Sequence, residues 1–339
     1  MVIDKVKVQE LIDAQNGESP FSGVVLIKER GDIVFEGAYG YANRSERIQN
    51  RVDTRFGIAS GCKIFTSVAV CQLVERGLLT FDSLLKDCLD VSFPEFDPNV
   101  TVGQLLTHSS GIPDYFDEEV MSDYEDLWKD NPMYRIRSPR DFLPLFQDKD
   151  MMFKPGDRFH YNDAGFIVLG LIVEQISNMP FHEYIEANIF KPSAMTDTGY
   201  FALDRLPERV ALGYIDFEDG SWKSNVYSVP VVGGPDGGCF TTATDMFKFW
   251  DALLNFRLLK EGITKEMLRP HMQADEYTHY GYGVWIIKRG DSYQTFVQGS
   301  DPGVSFMSLV SQSQDVQFAV LSNTDHGLWE ICNGVAAMM

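Results

Sequence analysis

Two groups of strand-like segments, one near each end of the 339-residue chain, constrain its fold more than any other feature. Between Gly23 and Tyr41, the apolar runs GVVLI and IVFEGAYGY flank a turn-like ERGD, which is the pattern of a β-hairpin. Between Tyr280 and Asn323, similar runs follow one another: GYGVWIIK, a turn at RGD, YQTFVQ, VSFMSLV, a polar SQSQD and VQFAVLSN. An isolated two-stranded hairpin is barely stable in water. We therefore expect both chain ends to contribute strands to a single sheet.

The middle of the chain has a helical pattern instead. Apolar residues recur with helical periodicity over residues 63–76, 102–107, 164–177, 181–189 and 245–255. Long loops rich in Pro, Gly and Asp separate these stretches. The predicted fold class is α+β, an α/β sandwich in which helices flank an antiparallel sheet. We expect a sheet domain of residues 1–78 and 240–339 and a mostly helical inserted domain of residues 79–239.

The charge balance argues against two kinds of partner. The chain has 29 basic and 49 acidic residues, a formal net charge of −20, which repels phosphate backbones and anionic lipid headgroups. We therefore expect neither nucleic acid nor a membrane as a partner, and the sequence leaves the oligomeric state open. The N-terminal residues lack a basic segment followed by an apolar one, and the five cysteines include no C-x-x-C pair, as in proteins with reduced thiols. These features favour a cytoplasmic protein, or an exported one if a leader has been removed.

A Ser-x-x-Lys sequence, Ser60-Gly61-Cys62-Lys63, opens the first helical stretch. Residues three apart lie on the same face of a helix, with Cβ atoms about 5–6 Å apart, so the lysine amine can reach the serine hydroxyl. A neighbouring base makes a serine nucleophilic, and backbone N–H groups at a helix start stabilise an oxyanion. The pattern is weak by itself, because Ser83-Leu84-Leu85-Lys86 repeats it in a predicted exposed turn. A simple helix cap at Ser60 remains an alternative.

A second candidate segment is Tyr161-Asn162-Asp163, which precedes the apolar stretch FIVLGLIVEQIS. The tyrosine is either a core phenol or a proton shuttle beside a lysine. Asn and Asp are preferred helix N-caps, so either Asn162 or Asp163 could cap the helix that follows.

Other catalytic patterns are missing from the sequence. It contains no H-E-x-x-H, G-x-S-x-G, Walker A or G-x-G-x-x-G motif, so we expect neither a metal nor a cofactor. His108 is predicted to be structural. Cys62 is either a reactive thiol or a buried packing residue. The segment GGPDGGC, between Gly233 and Cys239, is either a phosphate-binding nest or a tight turn at the rim of a cleft.

Taken in order, these segments resemble the serine β-lactamase and penicillin-binding-protein family, and within it the class C β-lactamase-like branch that includes DD-peptidases and esterases. The resemblance spans nearly the whole chain and is carried by FGIASGCKIFTSVAVCQLVERGLLTFDSLL, VTVGQLLTHSSGIPDY, FKPGDRFHYNDAGFIVLGLIVEQIS, YIEANIFKPSAMTDTGY, GGPDGGCFTTATDMFKFWDALL and VQGSDPGVSFMSLV. It implies a β-lactamase/transpeptidase-like fold with an active site in the cleft between the two domains. It also implies that Ser60 is acylated, that Lys63 assists as the base, and that Tyr161 moves protons to and from the leaving group and water.

One departure from the family pattern is Asp163, which stands where the family's Tyr-x-Asn has a neutral amide. A carboxylate beside Lys63 favours the ammonium form of that lysine. The lysine is then a weaker base, or a cation that stabilises a Tyr161 phenolate.

A second departure is Gln298-Gly299-Ser300, which replaces the family's Lys-Thr-Gly or His-x-Gly. Gln298 can donate a hydrogen bond but lacks the charge that meets a substrate carboxylate. The resemblance implies that Asp163, Gln298, Ser300 and Asp301 bind substrate. It also implies one oxyanion N–H from Ser60 and a second from the backbone near Asp301.

The predicted function is that of a serine hydrolase that forms an acyl-enzyme with a small neutral ester or amide. One alternative is a true β-lactamase or D,D-carboxypeptidase, for which Gln298 would have to replace a cation. Another is a non-catalytic family member that binds a ligand in the same cleft, as two altered motifs would allow.

Overall fold

The computed structural model describes residues 3–15, 17, 20–289 and 292–339. Its strands are β1 (Gly23–Glu29), β2 (Asp32–Tyr39), β3 (Tyr41–Asn43), β4 (Ile48–Gln49), β5 (Phe56–Gly57), β6 (Tyr214–Asp216), β7 (Trp222–Ser224), β8 (Phe240–Thr241), β9 (Met272–Gln273), β10 (Thr278–Tyr280), β11 (Trp285–Arg289), β12 (Ser292–Asp301), β13 (Val304–Ser311) and β14 (Val316–Ser322). In the described part of the chain, eight of them form one antiparallel sheet in the order β2-β1-β14-β13-β12-β11-β10-β9. The short strands pair as β3–β4, β5–β8 and β6–β7.

The two chain ends meet inside this sheet. Strand β1 pairs with β14 along its whole length, so that Val25 lies opposite Val320 and Ile27 opposite Phe318. The predicted fold class, an antiparallel sheet built from both ends of the chain and flanked by helices, is confirmed. The predicted turn at Arg289-Gly290-Asp291 includes Gly290 and Asp291, which lie outside the described residues.

The helices are α1 (Lys5–Asp13), α2 (Lys63–Glu75), α3 (Leu85–Cys88), α4 (Val102–Leu106), α5 (Leu127–Asp130), α6 (Asp163–Ser177), α7 (Phe181–Ile185), α8 (Ala243–Leu254), α9 (Glu261–Met267) and α10 (Leu328–Met338). The predicted helical stretches agree with α2, α4, α6 and α8 to within two residues at each end. The predicted stretch 181–189 is instead α7 followed by a π-helical turn, Glu186–Phe190. Among the described residues, no single helix has the length and apolar composition of a membrane span. Helix α6 has them only when it is combined with α7 and the π-helical turn, and a bend of 77° separates the two parts.

Helices cover both faces of the sheet. Successive side chains of a strand point to opposite faces, so Val25 and Phe318 pack against α1 and α10, whereas Val24 and Leu321 belong to the larger core that contains α2 and α8. Sequence analysis did not predict α1 and α10, because short helices of this kind are stabilised mainly by tertiary packing. The sheet therefore has two buried faces, and the turn that leads into α2 lies against β12 and β13.

Candidate active site

Ser60 lies in a 3₁₀ turn, Ala59–Cys62, that leads directly into α2. The predicted helical stretch, residues 63–76, agrees with α2, whose first residue is Lys63, and Ser60 lies in the turn just before it. Ala59 has a φ of +43°, a left-handed backbone conformation that costs of order 1–3 kcal/mol for a residue other than glycine. The surrounding packing holds this strained turn and leaves Ser60 half-buried at the wall of a cleft.

Lys63 is the buried partner of Ser60. Its side-chain ammonium donates hydrogen bonds to Ser60 Oγ at 2.9 Å, to Asp163 Oδ1 at 2.5 Å and to the backbone carbonyl of Asp236 at 2.6 Å. The residue is 1% exposed. An ammonium has three donors and no acceptor, so these three contacts use its full hydrogen-bonding capacity.

The charge state of Lys63 follows from these neighbours. Burial by itself would lower the pKa of the amine, but the carboxylate of Asp163, with smaller contributions from Tyr161 and Asp236, raises that pKa well above its usual value. Lys63 is therefore an ammonium at neutral pH in the resting protein. This agrees with the expectation that a carboxylate at position 163 makes Lys63 a weaker base.

Tyr161 approaches Ser60 from the segment before α6. Its side chain lines the same compartment as Ser60, and burial raises the pKa of the phenol although the charge of Lys63 opposes that shift. The ring stacks on Trp285 with centroids 6.0 Å apart and lies 4.3 Å from the ring of His108. Tyr161 is thus a neutral phenol whose ring lies 5.0 Å from the side-chain nitrogen of Lys63, and its role as a proton shuttle stays a prediction.

The helix cap and the lysine partner are two different residues. Asn162 is the N-cap of α6, because its side-chain oxygen accepts from the N–H of Gly165 at 2.7 Å. The side chain of Asp163 is consequently free to contact Lys63. Asp114, which sequence reasoning missed, accepts from the N–H groups of Asp163 at 2.7 Å and Ala164 at 3.0 Å.

Asp114 is predicted to be a positioning residue for Asp163. Replacing it with asparagine places an amide donor against the backbone donors of Asp163 and Ala164, and we expect a loss of about 1–3 kcal/mol in the free energy of unfolding. We also expect a lower kcat/KM, because the start of α6 shifts. Urea denaturation and ester hydrolysis measure both effects. Asp97→Asn, at a surface turn where Asp97 accepts from Asn99, serves as control, and equal behaviour of the two variants would contradict the prediction.

The β12 wall of the cleft contains Gln298, Gly299, Ser300 and Asp301. Gly299 lies tightly against the turn that holds Ser60, because a Cβ at Gly299 would lie 2.3 Å from the carbonyl oxygen of Ile58 and 2.7 Å from the amide nitrogen of Ser60. The resemblance aligned the motif's glycine with Ser300. If Gly299 is aligned with that glycine instead, the lysine of the family's Lys-Thr-Gly motif corresponds to Val297, which is buried. Neither alignment therefore places a cation at this position.

Gly299→Ala is predicted to impair both stability and activity. The added methyl group would meet backbone atoms that cannot rotate away, and overpacking of this kind costs about 1–3 kcal/mol. A displacement of about 1 Å between β12 and Ser60 lowers activity about 100-fold. Thermal unfolding and ester kinetics test this, with Gly262→Ala in α9 as control, since a Cβ there has nothing within 4 Å. Full activity in Gly299→Ala would contradict the prediction.

The glycine-rich segment is a tight turn packed on α2. Cys62 Sγ contacts the carbonyl of Gly234 at 3.7 Å, and Thr66 Oγ1 donates to that of Pro235 at 2.6 Å. A φ of +84° at Gly238 requires glycine. The turn thereby presents the carbonyl of Asp236 to Lys63, a role that sequence reasoning missed, although a lone carboxylate among glycines was a visible signal.

Two compartments of the cleft share Ser60. The first, which we call the acidic compartment, is lined by Ser60, Ser300 and four carboxyl groups, with apolar walls behind them; the carboxyl groups belong to Glu118, Asp163, Asp236 and Asp301. The second, the aromatic compartment, is lined by Ser60, Tyr161, Trp285, Gln298 and Trp329, and it shares Glu118 and Ser300 with the first. The structure thus brings together all the candidate residues named from the sequence, with Lys63 beneath Ser60.

The remaining sequence candidates lie outside the chemistry. Cys62 is fully buried, and burial raises the pKa of its thiol to about 12, which agrees with a packing residue. His108 is buried and its Nδ1 accepts from the N–H of Asn162 at 3.0 Å, which agrees with a structural role. Ser83 Oγ accepts from the N–H of Thr80 at 2.9 Å, so the second Ser-x-x-Lys is a turn.

A serine hydroxyl that accepts a hydrogen bond from a lysine three residues further on, beside a tyrosine from a distant segment, is the arrangement of a serine hydrolase. The sheet with helices on both faces is the fold of the β-lactamase and penicillin-binding-protein class. The chain belongs to the β-lactamase family, whose model matches residues 8–335.

Individual relatives agree with this membership. The crystal structure of a penicillin-binding protein from Bacillus halodurans is 50% identical, with a TM-score of 0.93 over 98% of this chain and 100% of that one. Penicillin-binding protein 4* of Bacillus subtilis is 27% identical over 89% of this chain and 68% of its own length. D-amino acid amidase from Ochrobactrum anthropi, 22% identical over 98% of this chain and 97% of that one with a TM-score of 0.80, shares the fold.

Proposed function

We propose that the protein hydrolyses a small ester or amide through an acyl-enzyme on Ser60. The observation that carries the proposal is the hydrogen bond from Lys63 to Ser60 Oγ at 2.9 Å, with Tyr161 beside Ser60, at the junction of two cleft compartments. In the first step, Ser60 Oγ bonds to the substrate carbonyl carbon, and the bond from that carbon to the leaving group breaks. The proton of Ser60 passes to the leaving group. Water then bonds to the acyl carbon, the Oγ bond breaks, and a proton returns to Ser60.

Lys63 and Tyr161 share the proton transfer in this proposal. Lys63 must first lose a proton to act as a base, because in the resting state its three donors are all engaged. Tyr161, a neutral phenol, is suited to protonate the leaving group. The N–H of Ser60 and one from the backbone near Asp301 are proposed as the oxyanion donors.

A substrate without a carboxylate is favoured by the lining of the cleft. Among the described residues that line the two compartments there is no Lys, Arg or His, so a substrate carboxylate would meet no cation. A β-lactamase or D,D-carboxypeptidase activity is the second candidate, supported by the similarity to penicillin-binding proteins. It requires Gln298 to bind a carboxylate by hydrogen bonding alone.

Intact-protein mass spectrometry tests the proposal. The protein is incubated separately with a fluorophosphonate, a short-chain aryl ester and a penicillin, with Ser60→Ala as control. We expect adducts from the fluorophosphonate and the ester that are absent in Ser60→Ala. A penicillin adduct on Ser60 would favour the second candidate, and a protein that forms no adduct with any of the three would be a non-catalytic binding protein.

A further inference from the structure

Hydrolysis of an acyl-enzyme on Ser60 requires a group that takes a proton from the incoming water. Lys63 is an ammonium whose three donors are engaged by Ser60, Asp163 and the carbonyl of Asp236. Burial raises the pKa of the Tyr161 phenol, so Tyr161 keeps its proton at neutral pH. Neither group is free to accept a proton in the resting site. The water therefore needs another acceptor in the cleft.

Glu118 is the carboxyl residue that the two compartments share. The aromatic compartment has a volume of about 240 Å³, and Glu118 is the one residue with a carboxyl group among the described residues that line it. Asp163, Asp236 and Asp301 line only the acidic compartment. Glu118 therefore faces Ser60 from both compartments, across a space that suits a few water molecules.

The two neighbours of Glu118 in the chain hold its loop against the segment that carries Tyr161. Asp117 Oδ1 lies 3.2 Å from Nε2 of His160, and Glu119 Oε1 lies 3.1 Å from Nδ1 of the same ring. His160 is buried and directly precedes Tyr161 in the chain. The charge of Glu118 accordingly acts on the phenol of Tyr161. These contacts fix the position of Glu118 relative to the residues around the nucleophile.

The surroundings of Glu118 suit a proton acceptor. Its side chain is exposed where it lines the cleft, so water reaches it. Partial burial, followed by the charge of Asp163, raises the pKa of the carboxyl group above its usual value, although the charge of Lys63 opposes that shift. A carboxylate with a higher pKa is a stronger base, and it is most effective when its pKa approaches the working pH.

We propose that Glu118 is a catalytic residue, the general base that activates water for hydrolysis of the acyl-enzyme. This inference rests on the proposed acyl-enzyme function and deepens it by assigning the second half of the reaction. The acyl group lies against the apolar walls of the acidic compartment, and water takes the place of the leaving group in the aromatic compartment. The water oxygen bonds to the acyl carbon as one proton of the water moves to Glu118. The bond from that carbon to Ser60 Oγ then breaks, and the proton passes from Glu118 to Oγ.

Glu118→Gln tests the inference, because glutamine keeps the size of the side chain but cannot take up the proton. With an aryl acetate we expect a stoichiometric burst of phenol followed by turnover about 100-fold slower than in the wild type, the usual contribution of a general base. The value of kcat/KM, which reports acylation, should change little. Intact-protein mass spectrometry should show acetylated Ser60, and the decay of this adduct after the ester is removed measures deacylation directly. The exposed Glu95→Gln, outside the cleft, is the control and should match the wild type.

Hydroxylamine distinguishes a missing base from a displaced loop. It attacks an acyl carbon without the help of a base, so it should release the acetyl group from Glu118→Gln as fast as from the wild type. In the wild type, decay of the acyl-enzyme in water should slow as the pH falls through the raised pKa of Glu118, because the protonated carboxyl group cannot act as a base. This pH dependence should be absent in Glu118→Gln.

The outcomes separate this inference from the function beneath it. Three results in a Glu118→Gln that unfolds at the wild-type temperature would overturn the inference and leave the acyl-enzyme proposal standing. They are decay of the adduct at the wild-type rate, a loss of kcat/KM as large as the loss of kcat, and an adduct that does not respond to hydroxylamine. Absence of both an adduct and ester hydrolysis in the wild type and the variant would overturn the inference and the proposed function together.

Discussion

Ser60→Ala is expected to lower kcat for ester hydrolysis by about 10⁴-fold or more, the usual consequence of removing a covalent nucleophile. Ser60 is half-buried, and its Oγ accepts from Lys63, which keeps Asp163 and the carbonyl of Asp236 as partners after the change. The free energy of unfolding should therefore change little. Steady-state kinetics with an aryl ester and thermal unfolding of the same preparation measure the two quantities.

The chain offers a matched control for this variant in its second Ser-x-x-Lys. Ser83→Ala removes a hydroxyl that accepts from the N–H of Thr80 in a turn, so activity should be unchanged and stability should fall by about 1 kcal/mol. Hydrolysis by Ser60→Ala at the wild-type rate would disprove the acyl-enzyme mechanism. A loss of activity in both variants would point to a folding effect.

Asp163→Asn is expected to shift the pH dependence of catalysis toward lower pH. Asp163 is the largest of the contributions that raise the pKa of Lys63, and an opposite charge in contact shifts a pKa by about 1–3 units. Without the carboxylate, burial lowers the pKa of Lys63, and the neutral amine becomes available at lower pH. The alkaline rise of kcat/KM should move down by about 1 pH unit or more, and activity at neutral pH should increase about tenfold or more.

The same variant should be less stable than the wild type at neutral pH. Lys63 and Asp163 form a buried pair, and removing one partner of such a pair costs about 3–5 kcal/mol. In the wild type the folded-state pKa of Lys63 is raised, so the pair stabilises the protein below the unfolded-state pKa and this contribution is lost as pH rises through the folded-state pKa. In Asp163→Asn the deficit should shrink as Lys63 loses its proton.

A pH–rate profile from about pH 5 to pH 10, with urea denaturation at each end, measures both effects of Asp163→Asn. Asp251→Asn is the control, since it breaks another lysine–aspartate pair, with Lys28 at 2.8 Å, on the part-exposed surface away from the cleft. Its pH profile should match the wild type. A loss of activity in Asp163→Asn at every pH would mean that Asp163 itself takes the proton of Ser60 through Lys63, and would contradict the role of Lys63 as the base.

Local patterns in the sequence predicted local structure well. Helices α2 and α6 were predicted to within a residue at each end, because their apolar residues are dense and their ends are marked by Gly77 and by Asn162. Helices α1 and α10 were not predicted. Their stability depends on a mutual contact, in which Gly334 packs against Leu11 so closely that a Cβ at Gly334 would lie 2.4 Å from Leu11 Cδ1. The local sequence of either helix does not predict this contact.

Some contacts of the candidate site could likewise be predicted from the sequence, and others could not. The contact between Ser60 and Lys63 follows from a spacing of three residues, and the resemblance to the family added Tyr161 and the cleft position of Asp163. The two hydrogen bonds that Asp114 accepts from the first N–H groups of α6 link residues 49 and 50 positions apart in the chain. A pattern search has no signal for such a pair.

The sequence by itself determined the contact between Ser60 and Lys63, the antiparallel sheet from both chain ends and the absence of a cation at position 298, because these depend on residue identity and short spacings. The tertiary structure decided the charge state of Lys63 and the lining of the acidic compartment. Lys63 is separated along the chain by 100 residues from Asp163 and by 173 from Asp236. A pKa depends on burial and on charges within a few ångströms, and folding alone brings those groups together.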